Sequence, residues 1–482
     1  MEKERVILHC DLNNFYASVE CLKHPEYRGF PLAVAGDPKK RTGIILAKNT
    51  LAKEKGIKTG EVIWKAKQLC PNLICVAPHH NDYAVFSKKV KDIYLKYTNF
   101  VEPFGIDECW LDVTHSQKLF GNGLEIANKI KEEVKEQTGL TISVGVSFSK
   151  MFAKLGSKLG KNDSISTITK DDYKTKAWKL PVEKLIFVGK NRLQTLKKLN
   201  IHTIGDLANA DEKVLSHYFG VSGKYLKDIA NGTESDSVAD YDNAREIKSI
   251  GNGTTSIVDI DTQEQAKQLI YYLSESVSTR LREKHFSALT ISLAIKDDNL
   301  ETISHSITLN TPTNSVDIIA KTSLQLLNKN WSFTSNKRIR AIRISCSHLF
   351  SNTQTPIQTD LFVDTKKIEK LSAKDKSIDK IRQKYGFNKI KKALLIEAKH
   401  INYEENDDFI WLLCFVVAKQ NWLCIWGNRR FCNNTIFNFS FIVWHAFCNN
   451  TFTFWIDFVF CALRNCSIQT FRKSQSIGSW NV

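Results

Sequence analysis

Apolar positions in the first 150 residues change period several times, and each change marks an element. Val6 to Asp11 is a short, mostly apolar run that suits a buried strand, and Asn14 to Cys21 suits a helix. A Gly/Pro/Lys-rich stretch follows, with Pro31 to Val34 apolar, a turn at Gly36-Asp37-Pro38, and a small αβ segment ending in Leu73-Ile74-Cys75-Val76. Phe100 to Val113 has strand composition interrupted at Gly105, which predicts a hairpin with acids at its bend. Gly123 to Gln137 is amphipathic, with Ile126, Ile130 and Val134 on one face and Gly139 as its stop. Thr141 to Val146 is the next strand. The order is a β-α-β-β-α-β layer with a lobe inserted after the first helix, an α+β arrangement.

From Leu180 to Asn231 short helices alternate with glycine turns. Leu193 to Leu207 reads as a helix-hairpin-helix whose turn aims backbone N–H groups at a phosphate; an ordinary helical hairpin has the same pattern. A polar stretch around Ser235 to Asn243 reads as a linker. Beyond it come strand 255–260, helix 263–284, strands 289–295 and 302–309, helix 315–328 and strand 339–345, a sheet with helices on one face. Lys337-Arg338-Ile339-Arg340-Ala341-Ile342-Arg343 introduces the last strand, and so dense a basic run suits a phosphate backbone or a solvated sheet face.

At 482 residues the chain is too long for one core, and three to four domains are expected. Its 68 Lys+Arg against 51 Asp+Glu give a net charge of +17, which favours a polyanionic partner, nucleic acid or an acidic membrane surface. The N-terminus, MEKERVILHC, lacks a secretory pattern, so a cytoplasmic protein is expected. Cys10, Cys21, Cys70, Cys75, Cys109 and Cys346 show no CxxC spacing and read as reduced, mostly buried thiols.

Candidate chemistry lies in acids placed where acids are costly. Asp11 ends a hydrophobic strand, and Asp107-Glu108 sit at the bend of a hydrophobic hairpin. Each alone would be a turn or cap residue. Together, three carboxylates from separate segments suit hard divalent cations and phosphoryl transfer.

With the residues around them, Asp11-Leu12-Asn13-Asn14-Phe15-Tyr16 and Gly105-Ile106-Asp107-Glu108 foremost, these acids resemble the catalytic motifs of the Y-family, or DinB/UmuC-type, translesion DNA polymerases. Asp11-Leu12-Asn13-Asn14-Phe15-Tyr16-Ala17-Ser18-Val19-Glu20 is similar to their first catalytic motif, and Gly105-Ile106-Asp107-Glu108-Cys109-Trp110-Leu111-Asp112 to the second. Ser143-Val144-Gly145-Val146-Ser147 with Lys150, Phe152-Ala153-Lys154 and Lys161 is similar to the third. The resemblance is collinear over roughly residues 4 to 400. It implies a right-hand polymerase: ferredoxin-like palm 1–22 and 79–165, fingers 23–78, helical thumb 166–234, linker 235–244, α/β little finger 245–350 and a clamp-binding segment 351–402.

The implied activity is error-prone, template-directed addition of dNTPs to a primer, in translesion synthesis and the DNA damage response. Two Mg²⁺ ions would be bridged by Asp11 and Asp107, with Glu108 on the primer side and the Leu12 carbonyl on the nucleotide side. Tyr16 falls at the steric-gate position, and Phe15, Thr50, Lys53 and Lys161 would complete the nucleotide pocket. Lys150 and Lys154 suit either this site or a solvated helix face. Gly189, Lys190, Gly205, Arg338, Arg340 and Arg343 would meet primer-template DNA. Gln358, Asp360, Leu361 and Phe362 resemble the peptide that docks the bacterial sliding clamp, or are an incidental linker. Thr50 stands where the family often has Tyr, which leans the chain towards a UmuC-like branch with a UmuD-like accessory subunit. Lys53 stands in place of Arg, Lys161-Asn162-Asp163-Ser164 in place of Lys-Pro-Asn/Asp-Gly, and Phe187 in place of a first hairpin glycine. A nucleotide cyclase and an inactive, clamp-tethered DNA-binding scaffold are the rival readings.

Residues 403–482 change character. Six of ten tryptophans and half of the cysteines lie there, and Phe431-Cys432-Asn433-Asn434-Thr435 recurs as Phe447-Cys448-Asn449-Asn450-Thr451. The stretch 431–456 lacks Asp, Glu, Lys and Arg, yet its Asn and Thr content is poor for hydrocarbon. Translation past a lost stop codon or through a frameshift explains it better than a membrane or interaction tail, and such a segment is expected outside the fold.

Overall fold

A computed structural model describes residues 4–401 apart from 42, 161, 243–245, 335–336, 352–364, 387–388, 396–397 and 399, and beyond them the strands 411–418 and 421–427. The chain opens with β1 (Ile7–Leu12) and α1 (Phe15–Lys23). The inserted lobe holds β2 (Leu32–Ala35), β3 (Ile45–Lys48), α2 (Thr50–Glu54), α3 (Ile63–Leu69) and β4 (Ile74–Val76), its sheet ordered β3-β2-β4. Next come α4 (His80–Tyr94), β5 (Val101–Pro103), β6 (Glu108–Asp112), α5 (Gly123–Thr138), β7 (Ile142–Ser147), α6 (Lys150–Leu159) and β8 (Ile165–Ile168). The central sheet runs β5-β6-β1-β7-β8, with β1 antiparallel to both neighbours.

Local chemistry explains the framing helices. An Asn122–Glu125 capping box starts α5, and Gly139 ends it in the left-handed region at φ 72°. Its buried face, Ile126, Ile130 and Val134, joins Tyr83, Val90 and Ile93 of α4 in the core on one side of the sheet. On the other side, α6 starts at Ser149, whose side chain accepts from the Phe152 amide. Gly145 lets α6 approach: a Cβ there would lie 1.8 Å from the Ala153 carbonyl oxygen. The strands and helices therefore clamp both faces of β1, and its Asp11 end is where the site forms.

After a one-turn helix at Tyr173–Lys176 come α7 (Lys190–Lys198), α8 (Ile204–Asn209), α9 (Glu212–Phe219) and α10 (Val221–Asn231). The stretch read as a linker is partly pinned. Val238 is buried, the Ala239 amide donates to Glu102, and Ser149 donates to the buried Glu234. Glu102 also holds the buried Lys150 at 2.6 Å.

Strands β9 (Ser249–Ile260), β10 (Phe286–Asp297), β11 (Thr302–Thr313) and β12 (Ile339–Ser351) form a sheet ordered β11-β10-β12-β9. By contacts the chain divides into two compact units: residues 1–260, 294–303 and 337–349, and residues 261–293, 304–336 and 350–482. In the second, α11 (Gln263–Glu283) packs on α12 (Val316–Asn330). Helix α13 (Thr365–Tyr385) is ion-paired in the same unit through Arg282–Asp379, Arg382–Glu275 and Lys374–Asp317, and Lys392 adds a second cation to Asp317. A small sheet there joins β13 (Ile390–Lys392), β14 (Trp411–Ala418) and β15 (Asn421–Gly427) in the order β13-β15-β14. Parts of the anomalous tail are thus strands paired to the segment before it. Among the described residues no helix is long and apolar enough to cross a membrane.

Candidate active site

Backbone pairing assembles the acids. Antiparallel register sets Asp11 opposite Glu108, and the Leu12 amide donates to the Asp107 carbonyl at 3.1 Å. Gly105, at φ 99°, makes the turn that delivers Asp107 and Glu108 to the end of β6. Burial raises Asp11 to about 7, and the neighbouring Glu108 and Asp107 charges add to it. Asp107 is raised as well, by burial first and then by Glu108. Glu108 goes the other way. Burial opposes its charge, but Lys154, through its hydrogen bond and its charge, holds it far below the carboxylate range. Lys154 donates to Glu108 Oε2, and Lys158 lies 3.6 Å from Oε1.

Among the described residues no three acids, histidines or cysteines converge as a ready-made cation cage. Glu108 is engaged by two lysines instead. The donor set nevertheless fits a divalent cation. Asp11 and Asp107 offer hard oxygens that stay raised because burial and the neighbouring acids outweigh the charges of Lys154 and Lys158, whose direct contacts go to Glu108.

The aromatic residues that open α1 divide. Phe15 is only 3% exposed and lies in the core, so its side chain is no part of a nucleotide pocket. Tyr16 is half-buried and stacks on Tyr83, centroids 4.1 Å apart and planes 12° apart. The Tyr83 hydroxyl donates to the fully buried Glu20 at 2.5 Å, and His79 Nδ1 sits 2.9 Å from the same oxygen. Across from α1, the Thr50 hydroxyl takes hydrogen bonds from Asn14 at 3.2 Å and Asn162 at 3.3 Å. Lys53 lines a cavity of about 260 Å³ together with Asp11, Leu12, Asn13, Lys158 and Asn162. Lys161 lies outside the described residues.

Other expectations need correction. Lys150 and Lys154 are not a solvated face: both are buried, Lys150 against Glu102 and Lys154 against Glu108. Gly205 is buried in α8 and its amide donates to the Trp178 carbonyl, which leaves it no N–H for phosphate. Gly189 does precede α7 in open space, with Lys190 exposed behind it. Phe187 adopts φ 70°, the left-handed conformation a glycine would take there without strain. Arg338 and Arg343 are exposed, but Arg340 is committed to Asp259, which also binds Arg41 at 2.5 Å. Gln358, Asp360, Leu361 and Phe362 lie outside the described residues.

The sequence reading missed His9, Ser157 and Tyr83. They come from three separate segments, and only the three-dimensional packing joins them to the acids and to Tyr16.

The likeness to known proteins agrees with this geometry. A solved structure, a Y-family DNA polymerase chimera of Dbh and Dpo4, superposes with a TM-score of 0.64 at 23% identity, covering 72% of this chain and 100% of its own. The fold is therefore the multidomain right hand of the Y-family polymerases. The impB/mucB/samB family matches residues 10–158, and its C-terminal domain matches 247–361. DNA polymerase IV of Acetivibrio thermocellus is 43% identical over 399 residues, 83% of this chain and 99% of the relative. DNA polymerase IV 1 of Bacillus subtilis is 35% identical over 414 residues, 84% of this chain and 98% of the relative. This chain belongs to the impB/mucB/samB family and is a DinB-type, DNA-directed DNA polymerase of the Y family. The lean towards a UmuC-like branch gives way to the DinB type: one finger residue, Thr50, weighs less than similarity along 399 residues.

Proposed function

We propose that this polymerase performs translesion synthesis, adding dNTPs to a primer 3′ end by two-metal phosphoryl transfer at Asp11, Asp107 and Glu108. The observation that supports it is the crowding of Asp11 and Asp107 at a strand end, where burial first, and then neighbouring acids, raise both. The Leu12 carbonyl and the Asp11 and Asp107 carboxylates would hold one Mg²⁺, and Asp11, Asp107 and Glu108 the other. When bound, the ions supply Lewis-acid stabilisation of the attacking and leaving oxygens. Lys53 and Lys161 would meet the triphosphate as point charges. Tyr16, held on Tyr83, would exclude a ribose 2′-hydroxyl. Exposed Lys190, Arg338 and Arg343 would follow the phosphates of primer-template DNA, and 358–362 would dock a sliding clamp.

The test is primer extension with Mg²⁺ on undamaged and abasic templates, comparing wild type with Asp107→Ala. Wild type extends both templates, while Asp107→Ala binds primer-template and does not extend it. Extension that survives loss of Asp107 would overturn the assignment.

A further inference from the structure

His9 stands two residues before Asp11 on β1 and is fully buried, yet none of the proposed chemistry uses it. Its Nδ1 lies 2.8 Å from Ser157 Oγ, and its Nε2 lies 3.4 Å from Lys154 Nζ. The ring also meets Trp110 edge-on at 5.4 Å. Hydrogen-bond polarity fixes which nitrogen bears the proton. The Ser157 hydroxyl donates to the Lys154 carbonyl at 2.9 Å, so its oxygen is left to accept, and His9 Nδ1 must be the donor. Nε2 then faces the Lys154 ammonium, a group that only donates, and a lone pair there is the arrangement that avoids two opposed N–H groups. Glu108 Oε2 is 3.8 Å from Nε2, too far for a hydrogen bond.

Lys154 is therefore held from two sides: by the His9 lone pair and by Glu108, to which it donates. It also lies 4.4 Å from the Phe104 ring centroid. An ammonium so placed takes up Oε2 of Glu108.

We propose that His9 is a positioning residue: with its tautomer set by Ser157, it holds Lys154 on Glu108 as an internal counter-ion that the primer-side divalent cation has to displace. The inference rests on the reading of Asp11, Asp107 and Glu108 as cation ligands. Its consequence is a sign. A mutation that merely damages the site weakens cation binding, whereas release of Lys154 strengthens it.

The experiment titrates Mn²⁺, read by the loss of its free electron-paramagnetic-resonance signal, into the full-length protein with primer-template blocked at its 3′ end and a matching dNTP. His9→Phe removes the acceptor and is expected to tighten the weaker class of Mn²⁺ sites by roughly tenfold, in the range typical of outer-shell changes at metal sites. Lys154→Met, which removes the counter-ion itself, tightens the same class at least as much. His9→Gln, whose amide oxygen can accept from Lys154, returns the wild-type affinity. Ser157→Ala frees the ring tautomer and falls between. Unchanged or weaker Mn²⁺ binding in both His9→Phe and Lys154→Met, with their thermal transitions intact, would overturn the proposal. Asp107→Ala in the same titration separates the two ideas. Wild-type Mn²⁺ binding by Asp107→Ala sinks the ligand assignment and the inference with it. Lost binding in Asp107→Ala, together with no tightening in His9→Phe, sinks the counter-ion alone.

Discussion

Asp11 and Asp317 are both mostly buried acids at the edges of helical and strand layers, and their surroundings treat them in opposite ways. Asp317 is met by Lys374 and Lys392, each at 2.5 Å. Burial works against its charge, but the two lysines bring it down to about 2. Asp11 has acids for neighbours and is pushed up to about 7 by burial and by Glu108. One cluster is electrically complete within the chain and serves to fasten α12, α13 and the segment after it. The other is left with surplus negative charge, which costs folding free energy unless something outside the chain offsets it.

The largest effect that would break this contrast is on chemistry. Asp11→Asn should reduce primer extension on the order of 10³-fold, the several kcal/mol that ion-stabilised charge is worth, without lowering the denaturation midpoint. Comparable extension by Asp11→Asn would remove Asp11 from the reacting centre. Asp317→Asn should do the reverse, costing about 3 kcal/mol of stability in urea unfolding because two lysines lose a buried partner. A shift in kcat with unchanged stability would contradict its fastening role.

The two acids also predict opposite pH dependences in metal-free protein. Asp317 has a folded value of about 2, below the roughly 3.9 of an unfolded Asp. Its contribution is present above that unfolded value and lost as pH falls towards 2. Asp11, raised to about 7, contributes stability that is present below the unfolded value and lost as pH rises through 7. The Asp11 slope cannot exceed about 1.4 kcal/mol per pH unit, and Asp11→Asn should flatten it. Chemical denaturation between pH 4 and 8 would show this, and an unchanged slope in Asp11→Asn would refute it.

A smaller effect concerns the sugar. Tyr16→Ala should raise ribonucleotide incorporation about tenfold or more relative to dNTPs, and unchanged selectivity would free Tyr16 of that role. Smallest of all, Arg343→Ala should lower the slope of log affinity against log salt by about 1, whereas Arg340→Ala, already paired with Asp259, should change it less. Equal changes would mean that the Asp259 pair does not withhold Arg340 from DNA.

The elements were legible where the hydrophobic period was strong and the punctuation clear. Helix α5 runs from its capping box to Gly139 as its apolar face and glycine stop imply, and the strand ending at Asp11 and the acid-bearing hairpin are both present. The acids were legible because charge at the end of apolar runs is improbable without a task. What escaped was anything decided by packing direction. Phe15 and Tyr16 are adjacent aromatics, and nothing local says which faces inward. Gly205 sits in a turn-like sequence but is buried against Trp178. His9 looked like one polar residue in a strand, and its partners Ser157 and Lys154 stand about 150 positions away. The stretch around 235 reads as polar linker because its anchors, Glu102, Lys150 and Ser149, belong to other segments.

Gly145 has a wider consequence. Because no methyl stands there, the axis of α6 settles against β7 at a depth fixed by backbone contact, with Gly156 Cβ space reaching 3.3 Å from Gly145 Cα. Side-chain substitutions elsewhere in the core can repack without altering that spacing, since no flexible group separates the two main chains. The sheet and helix behave there as a single machined part, so Lys154, Ser157 and Lys158 inherit their reach from a hydrogen atom rather than from a side chain. Drift in the surrounding sequence therefore has little leverage over the spacing at the acids, while Gly145→Ala alone would shift all three.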